Sequence, residues 1–571
     1  MNGLAVSGGI SFGKAFLLDS GASVSCRGIS VEQIDGEMKR FLEGRDRAAV
    51  NLEKLIEKVR TEMGDDKAEI FEGHLEILTS DDVEEGVREI IVEQKVCAEK
   101  AAEIFAEDNA REMEELDDEY FRERGQDFRD IGQQLIKGIL NINPDERTLP
   151  DQAVVMGEEL SPSQTASLDM SRVKGLIVKT GGKNSHAAII ARSLEIPALI
   201  MPELDFAEHV KNNDIVYVDG ESGELWVNPD EKTIESLKRK EEKLEKEKEE
   251  LLTLLDEPSA TKDGHPVGLY ANVGGTFDIG NAVRYKADGI GLFRTEFLFM
   301  ETMSSPTLAR QTEVYQHAVE SLGGRNVIIR LLDTGADKPL PYWPLPREEN
   351  PFLGIRGIRL LFQKEDILRT QIQALLQASK SGPVGMMIPM IGSLKPIERV
   401  RALVEEEKLA LGWTEAENLM LGVMIETPAA VQLIKEILDI VDFVSIGTND
   451  LTQYMLAADR GNPSMTDYYD EFHPAVLRSI AHVIKQAGKK AKLNGICGEL
   501  AGNPLALPFF VGLGVDELST NASSILKLKK ILREIDFTEA ENLVEEILRI
   551  PTSEGIRMRL HRFLAERDLL K

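Results

Sequence analysis

The sequence predicts a multidomain α/β protein whose C-terminal half is a (β/α)8 TIM barrel. Three observations support this prediction. The chain has 571 residues, which is too long for a single hydrophobic core. After residue 259, eight strand-like runs alternate with amphipathic helical stretches. Nearer the N-terminus, a helix-rich block separates two groups of short β-like runs.

The N-terminal part of the chain predicts one α/β domain that is interrupted by helices. Its β-like runs, punctuated by Gly and Asn, are Lys14–Leu18, Ala153–Met156, Gly175–Lys179, Ile215–Val218 and Leu225–Val227. From about Val31 to Pro144, the first proline, charged and apolar residues alternate with a helical period. We therefore predict an α/β domain made of residues 1–20 and 145–228, with an all-α bundle, residues 21–144, inserted into it.

A highly charged segment follows the α/β domain. Leu237, Leu244 and Leu251 recur in it at heptad spacing, which is typical of a helix that packs on a neighbour. A disordered charge run is the alternative, but the leucine spacing favours a linker helix. We assign residues 229–258 to this linker.

The remaining residues, 259–571, contain the eight strand candidates of the barrel. These are Gly268–Val273, Gly289–Arg294, Asn326–Leu332, Val384–Met390, Leu419–Ile425, Asp442–Ile446, Lys492–Ile496 and Asp516–Leu518. An open doubly wound sheet is the alternative architecture. The number of strands and the distribution of polar residues at their ends favour the barrel.

Composition restricts the partners and the compartment. The net charge of −31 disfavours binding to nucleic acid or to an anionic membrane. It is compatible with a basic protein partner, or with a charge that serves only to keep the protein soluble. Cys26, Cys97 and Cys497 form no metal-binding or redox spacing, which is typical of a reducing compartment. Because the chain has neither a secretory leader nor an apolar run of membrane-spanning length, we expect no membrane insertion and a cytoplasmic protein.

Residues 181–197, GGKNSHAAIIARSLEIP, carry the first functional signal. A glycine pair precedes His186, which begins a helical run of small residues. Amide groups at the start of a helix favour an anion, so His186 can carry a phosphoryl group on a ring nitrogen. A structural histidine is the alternative for one isolated His. The glycine pair, the small residues and the strand-end cluster described next favour the phosphohistidine.

Polar residues follow the predicted barrel strands, where the active site of such a barrel lies. They include Arg294, Arg330, Arg356, Glu426, Asn449, Asp450, Arg460 and Cys497. Several arginines predict a small, highly anionic ligand, because guanidinium groups match phosphate and carboxylate. Lys338 is a further candidate for a phosphate contact.

Two acids and one thiol in this cluster have more specific chemistry. Glu426 and Asp450 at neighbouring strand ends are suited to Mg²⁺, which binds one or two carboxylates and keeps positions for substrate oxygens and water. Cys497 can deliver a proton to carbon. A small buried filler is the alternative for Cys497, and on residue type alone it is the commoner role.

These motifs resemble enzyme I of the bacterial phosphoenolpyruvate (PEP)-dependent sugar phosphotransferase system, over essentially the whole chain. The matching stretches are the GG-x-x-SH-x-x-I-x-AR pattern at 181–192, GLFRTEFLFM at 291–300, ENPFLG-x-R at 349–356, ETPAA at 426–430, SIGTNDLTQY at 445–454, DRGN at 459–462 and CGELAG at 497–502. The family usually has other residues at Lys183, Asn184 and Ala336. None of these three departures removes a charged group from the expected chemistry.

The resemblance implies a role for each candidate residue. His186 would accept the phosphoryl group of PEP, and Thr165 would steady its ring. Arg294, Arg330 and Lys338 would bind the phosphate, with Arg356 lining the same pocket. Asn449 and Arg460 would hold the carboxylate, Glu426 and Asp450 would ligate Mg²⁺, and Cys497 would protonate the enolate to give pyruvate.

The resemblance also implies partners. The helical insert would dock the phosphocarrier protein HPr, in the first step of sugar uptake, and the barrels would pair as a homodimer. Two alternatives remain at this stage. A PEP synthase-like enzyme would need an ATP-binding domain, and the sequence contains no P-loop and no room for an ATP-grasp fold. A PEP-sensing module, whose histidine is phosphorylated but passes nothing on, is compatible with the same residues.

Overall fold

The computed structural model forms two compact units, Met1–Glu245 and Lys246–Lys571. The described residues are 1–18, 28–63, 65–115, 119–142, 149–160, 164–165, 168–180, 186–194, 196–300, 304–335, 340, 342–343, 345, 348–413 and 418–569. The two units are considered one at a time below.

In the first unit, strands from both sides of the helical segment share one sheet. They are β1 (Leu4–Ser7), β2 (Ile10–Leu17), β3 (Ala153–Gly157), β4 (Val173–Val178), β5 (Ala198–Ile200), β6 (Ile215–Asp219) and β7 (Glu224–Val227). Within the described residues their order is β1-β5-β4-β3-β2-β6-β7. β2 pairs in parallel with β3, with Lys14 opposite Ala153, and antiparallel with β6. This pairing confirms an α/β fold with an inserted helical segment.

The inserted segment consists of α1 (Ile34–Met63), α2 (Asp65–Thr79), α3 (Asp81–Gln94), α4 (Ala98–Glu115) and α5 (Glu119–Leu140). Ser30 and Gln33 form a capping box just before α1, in a short 3-10 turn. Apolar side chains from several helices are fully buried together, among them Phe41, Leu78 and Ile91. The segment therefore has a hydrophobic core of its own, as the helical periodicity predicted.

Two short helices, α6 (His186–Ser193) and α7 (Phe206–His209), complete the α/β part of this unit. The charged linker is helical, as predicted, over α8 (Glu231–Leu252). Its N-terminal half is fastened to β6, because the hydroxyl of Tyr217 donates to the carbonyl of Leu237 at 3.2 Å and Lys240 forms an ion pair with the buried Asp219.

The second unit contains a closed barrel of parallel strands, in agreement with the predicted TIM barrel. The strands are β8 (Gly268–Val273), β9 (Ile290–Arg294), β10 (Val327–Arg330), β11 (Val384–Ile388), β12 (Leu419–Ile425), β13 (Phe443–Gly447), β14 (Leu493–Cys497) and β15 (Glu517–Thr520). β15 pairs with β8 and closes the barrel. A Cβ atom on Gly422 would lie 2.4 Å from the ring of Phe443, so glycine there leaves room for the aromatic ring in the interior.

Helices surround the barrel or follow it. They are α9 (Thr276–Arg284), α10 (Glu296–Met300), α11 (Leu308–Ser321), α12 (Ile358–Leu361), α13 (Glu365–Ala378), α14 (Lys395–Ala410), α15 (Pro428–Gln432), α16 (Ile434–Ile437), α17 (Thr448–Leu456), α18 (Pro474–Lys489), α19 (Leu507–Gly512), α20 (Ile525–Leu532), α21 (Phe537–Ile547) and α22 (Ser553–Ala565). No helix in the described part of the chain is long and apolar enough to cross a bilayer.

Candidate active site at the barrel mouth

The strand-end residues lie together at one mouth of the barrel. Arg294, Arg330 and Cys497 are the last residues of β9, β10 and β14. Glu426 follows β12, and Asp450 lies in the first turn of α17, directly after β13. Because all the barrel strands are parallel, their carboxyl ends meet at the same face, where the catalytic residues of TIM barrels are found.

Arg330 is buried in the mouth and is surrounded by acids. Its Nη2 atom lies 2.9 Å from Oε1 of Glu296, and its Nη1 atom lies 3.2 Å from Oδ2 of Asp333. Burial alone lowers the pKa of Arg330, but the negative charges of Glu296, Asp333, Glu426 and Asp450 outweigh burial and raise it above the ordinary arginine value. The guanidinium of Arg330 is therefore permanently charged and fixed in place.

Asp333 connects two of the arginines. Its carboxylate also accepts hydrogen bonds from Nη2 of Arg356 at 2.9 Å and from Nε of Arg356 at 3.3 Å. Arg356 and Asp333 are both 1% exposed. A buried pair with this two-point geometry positions its cation closely, because the planar guanidinium fits a carboxylate at two nitrogens.

Arg294 differs from its neighbours. It is only partly buried, and it has no hydrogen bond or ion pair with any described residue. Burial lowers its pKa, as does the positive charge of Arg330, but an arginine in a protein stays protonated. The mouth thus contains a cation that forms no ion pair with a described carboxylate and lies near Arg330, which favours an anionic ligand.

Glu426 is a buried carboxyl group with one oxygen left over. Oε1 accepts a hydrogen bond from the amide of Met390 at 2.5 Å, whereas Oε2 is buried with no hydrogen-bond partner among the described residues. Burial, followed by repulsion from Asp450 and Asp333, raises the pKa of Glu426 to about 8. Such a group gains stability from a proton or from a cation.

Asp450 lies between two arginines, Arg356 and Arg460. Oδ1 is 3.3 Å from Nη2 of Arg460, and Oδ2 is 3.7 Å from Nη2 of Arg356. In the described part of the chain, no group of three or more His, Cys, Asp and Glu side chains is arranged as a metal cage. Two carboxylates without a third still suit Mg²⁺, which keeps several waters and binds substrate oxygens. The unpartnered Oε2 of Glu426 fits that use.

Asn449 and Arg460 define a third side of the mouth. Oδ1 of Asn449 accepts a hydrogen bond from the amide of Glu499 at 2.9 Å, and the hydroxyl of Tyr469 donates to the Asn449 carbonyl at 3.2 Å. The Arg460 backbone is fixed by a hydrogen bond to Gln453, and its side chain remains 29% exposed. Both side chains therefore present nitrogen donors near Asp450.

Cys497, the last residue of β14, is 1% exposed. Burial raises the pKa of its thiol to about 11, so the sulfur is protonated at neutral pH. The hydroxyl of Ser445 donates to Sγ at 3.3 Å. The thiol can therefore act as an acid but not as a nucleophilic thiolate at rest.

The chain is similar to known proteins over its whole length. The chain matches, in order, the families described as PEP-utilising enzyme, N-terminal (2–124), PEP-utilising enzyme, mobile domain (149–223) and PEP-utilising enzyme, PEP-binding domain (248–537). A phosphoenolpyruvate-protein phosphotransferase of Haemophilus influenzae is 40% identical over 574 residues and covers 100% of both chains. The chain belongs to the phosphoenolpyruvate-protein phosphotransferase family.

A second relative in this phosphotransferase family is similar over nearly its whole length, and one solved structure is similar to part of the chain. The phosphoenolpyruvate-protein phosphotransferase of Staphylococcus carnosus is 38% identical over 560 residues, covering 97% of each chain. A solution structure of Enzyme I (nEIt) is 38% identical and covers 43% of this chain and 99% of its own, with a TM-score of 0.37. The protein is thus a PEP-dependent phosphotransferase, as the sequence motifs indicated.

Three residues predicted from sequence are not part of the mouth as described. His186 is the first residue of α6, in the first unit of the phosphotransferase, and its side chain lies outside the described residues. Thr165 is a buried residue of the same unit. Lys338 lies outside the described residues, as do Lys183, Asn184 and Ala336. The roles of these residues stay predictions.

Sequence reasoning gave no individual role in this phosphotransferase to Glu296 and Asp333, which it placed only among the polar residues at strand ends, or to Ser445 and Tyr454. Glu296 and Asp333 follow strand ends directly, so the same strand-end argument finds them. Ser445 precedes the end of β13 by two residues, and the alternation of a strand places it on the inner face. The hydroxyl of Tyr454 in α17 donates to the carbonyl of Phe352 at 2.5 Å, a contact with a 3-10 turn distant in sequence that no local pattern indicates.

Proposed function

We propose that the protein transfers the phosphoryl group of PEP to His186, releases pyruvate, and passes the group to a histidine of HPr in the first step of sugar uptake. The observation that carries this proposal is the barrel mouth. It combines Arg294, which forms no ion pair with a described residue, with two fixed arginines and with Oε2 of Glu426, which has no hydrogen-bond partner among those residues. These charges suit a small ligand that carries both phosphate and carboxylate.

Arg294, Arg330 and Arg356 bind the phosphate in this proposal, and Lys338 adds a further positive charge. Phosphoryl transfer needs positioning and charge neutralisation more than covalent help from the protein. Arg330 and Arg356 are held by the common carboxylate of Asp333, so they need no rearrangement when PEP arrives. Preorganised charges of this kind stabilise a transition state with little reorganisation.

Asn449 and Arg460 hold the carboxylate of PEP. Oδ1 of Asn449 accepts from the Glu499 amide, and the Asn449 NH₂ group donates to Oε1 of Glu499 at 3.5 Å, a long contact that the substrate carboxylate would replace. The Arg460 guanidinium lies at the edge of the mouth, where a second anionic group of the substrate can pair with it. The phosphate and carboxylate subsites thus lie on opposite sides of Asp450.

Glu426 and Asp450 would hold Mg²⁺. When bound, the ion would neutralise charge on phosphate and enolate oxygens. Glu426 must lose its proton before it can ligate, and the raised pKa of about 8 keeps that proton bound in the metal-free protein. Arg356 and Arg460 hold Asp450 in place for the same role.

In the chemical step, His186 accepts the phosphoryl group and Cys497 supplies the proton. The bond between phosphorus and the enol oxygen of PEP breaks as a bond between phosphorus and an imidazole nitrogen of His186 forms. The electron pair left on the enolate takes the proton of the Cys497 thiol, which forms the methyl group of pyruvate and leaves a thiolate. Because His186 and the PEP residues belong to different units, each cycle must bring the two together. Thr165 steadies the histidine ring.

The remaining partners are assigned by region. Residues 21–144 dock HPr, residues 1–20 and 145–228 carry the phosphohistidine, and residues 229–258 link them to the barrel. Residues 259–571 bind PEP and pair as a homodimer. The acidic charge of −31 suits a basic carrier surface and does not suit nucleic acid. The reaction is cytoplasmic, where PEP is made.

The test uses the full chain with PEP labelled in its phosphate. With Mg²⁺ present, we expect one acid-labile phosphate on His186, and loss of that label to HPr when purified HPr is added. A label that forms without PEP-derived pyruvate, or on another residue, would contradict the assignment of His186. A label that forms but never moves to HPr would favour the sensing module instead.

A further inference from the structure

The interior of the barrel contains a buried serine beside the Cys497 sulfur. Ser445 is 0% exposed and lies on β13, the strand that pairs with the one carrying Cys497. Its hydroxyl donates to Sγ at 3.3 Å, and the thiol in turn donates to the carbonyl of Ile446 at 3.5 Å. The sulfur thus accepts one hydrogen bond and donates one.

These two contacts respond differently to loss of the thiol proton. The Ser445 hydroxyl can still donate to a thiolate, and a hydrogen bond to the charged form stabilises that form. The Ile446 carbonyl has no proton to offer, so its contact with the sulfur is lost. The Ser445 hydroxyl can therefore donate a hydrogen bond to the sulfur in both of its protonation states.

Charged groups also face the sulfur from neighbouring strands. Arg294 and Arg330 favour the thiolate, whereas Glu426 and Glu517 disfavour it. Burial is the largest effect and strongly favours the protonated thiol. A strongly held proton is poorly donated, so a group that eases its departure has a catalytic use.

We infer that Ser445 is a positioning residue for proton donation: its hydroxyl holds Sγ of Cys497 and stabilises the thiolate left after the proton moves to the enolate. This inference rests on the proposed role of Cys497. In the step, the S–H bond breaks and a C–H bond forms at the methylene carbon. The electron pair stays on sulfur, and Ser445 keeps its own proton.

The first test measures the thiol without substrate. Alkylation of Cys497 by iodoacetamide, at about pH 8 and mapped by mass spectrometry, reports the thiolate fraction. Ser445→Ala should raise the thiol pKa by about one unit, which reduces the thiolate about tenfold. The higher intrinsic nucleophilicity of a more basic thiolate offsets part of this, so we expect alkylation about three times slower.

A structural role for Ser445 predicts the opposite result. A loosened interior would expose the sulfur and speed its alkylation, so an equal or faster rate in Ser445→Ala would overturn the inference. Ser519→Ala is the matched control, because Ser519 is a buried serine directly opposite Cys497 on β15 whose hydroxyl donates to Asn272 instead. We expect no change in that variant. Ser445→Thr keeps the hydroxyl and should restore the wild-type rate.

If Ser445→Ala does not fold, Ser445→Thr and Ser445→Val provide the same comparison, because they differ only in the hydroxyl. The second test follows the stereochemistry of the pyruvate methyl group formed in deuterated water. A random methyl from Cys497→Ser and a chiral one from the wild type support Cys497 as the donor. A chiral methyl from both would remove the proposed role of Cys497, whereas the alkylation result would still report on Ser445.

Discussion

Oδ2 of Asp333 lies 2.9 Å from Nη2 of Arg356, and both residues are 1% exposed. The same oxygen is 3.2 Å from Nη1 of Arg330. One buried carboxylate thus pairs with two buried cations at the barrel mouth. Without this carboxylate, Arg330 would keep its ion pair with Glu296, but Arg356 would keep, among the described carboxylates, only the 3.7 Å contact to Asp450.

We predict that Asp333→Asn lowers stability by about 3 kcal/mol, because the buried Arg356 loses its two-point partner and keeps, among the described carboxylates, only the longer contact to Asp450. Unfolding by urea, with free energies extrapolated to water, measures the loss. Asp470→Asn is the control, since Asp470 pairs with the partly exposed Arg557. That loss should be about 1 kcal/mol or less. Equal losses in the two variants would show that the buried ion pairs of Asp333 contribute no more to stability than a partly exposed ion pair.

His186→Ala should abolish phosphorylation by PEP and leave PEP binding nearly intact, because the proposed PEP contacts all lie in the second unit. Isothermal titration measures binding, and acid-labile label measures phosphorylation. His209→Ala serves as the control, because His209 is an exposed histidine of the same unit. Residual labelling of His186→Ala at wild-type rate would refute the nucleophile.

Glu426→Gln and Asp450→Asn should each raise the Mg²⁺ concentration needed for half-maximal turnover by more than about tenfold. Each substitution removes a hard anionic ligand. Turnover measured over a series of Mg²⁺ concentrations tests this. Glu407→Gln is the control, since Glu407 is a buried acid that pairs with Arg369 away from the mouth. Near-normal Mg²⁺ dependence in both site variants would make the two acids structural.

The buried carboxyl group of Glu517 should make the stability of the protein depend on pH. Its Oε1 is buried and has no hydrogen-bond partner among the described residues, and burial, with the charge of Asp516, raises its pKa from 4.5 to about 8. Between these values the unfolded chain has released the proton that the folded protein keeps. The contribution of Glu517 to stability therefore falls as pH rises through this window.

Glu517→Gln cannot titrate, so the melting temperature of this variant should rise relative to wild type as the pH increases from about 5 to about 8. Thermal unfolding followed by circular dichroism at each pH gives the difference. The exposed Glu541→Gln should show no such trend. A difference that is constant with pH would show that Glu517 ionises freely in the folded protein.

The barrel was predictable because its strands have continuous apolar sequences bounded by turn residues, as expected for parallel strands buried on both faces. All eight predicted strands overlap observed ones. β1 and β5 were missed, since runs of four and three residues are too short to display a period. The ends of β9, β10 and β14 located Arg294, Arg330 and Cys497. The bridge from Asp333 to Arg356 was not predictable, because the two residues are 23 positions apart and neither lies in a strand or helix.

The sheet of the first unit has a consequence for how the chain matures during synthesis. β2 is made early, yet both of its neighbours, β3 and β6, emerge from the ribosome only after the whole helical segment. The helical segment, whose contacts are mostly local, can fold first, while β2 remains an unpaired apolar strand. Nascent chains stalled before residue 153 should therefore bind chaperones through residues 10–17, and release them once residue 219 is exposed.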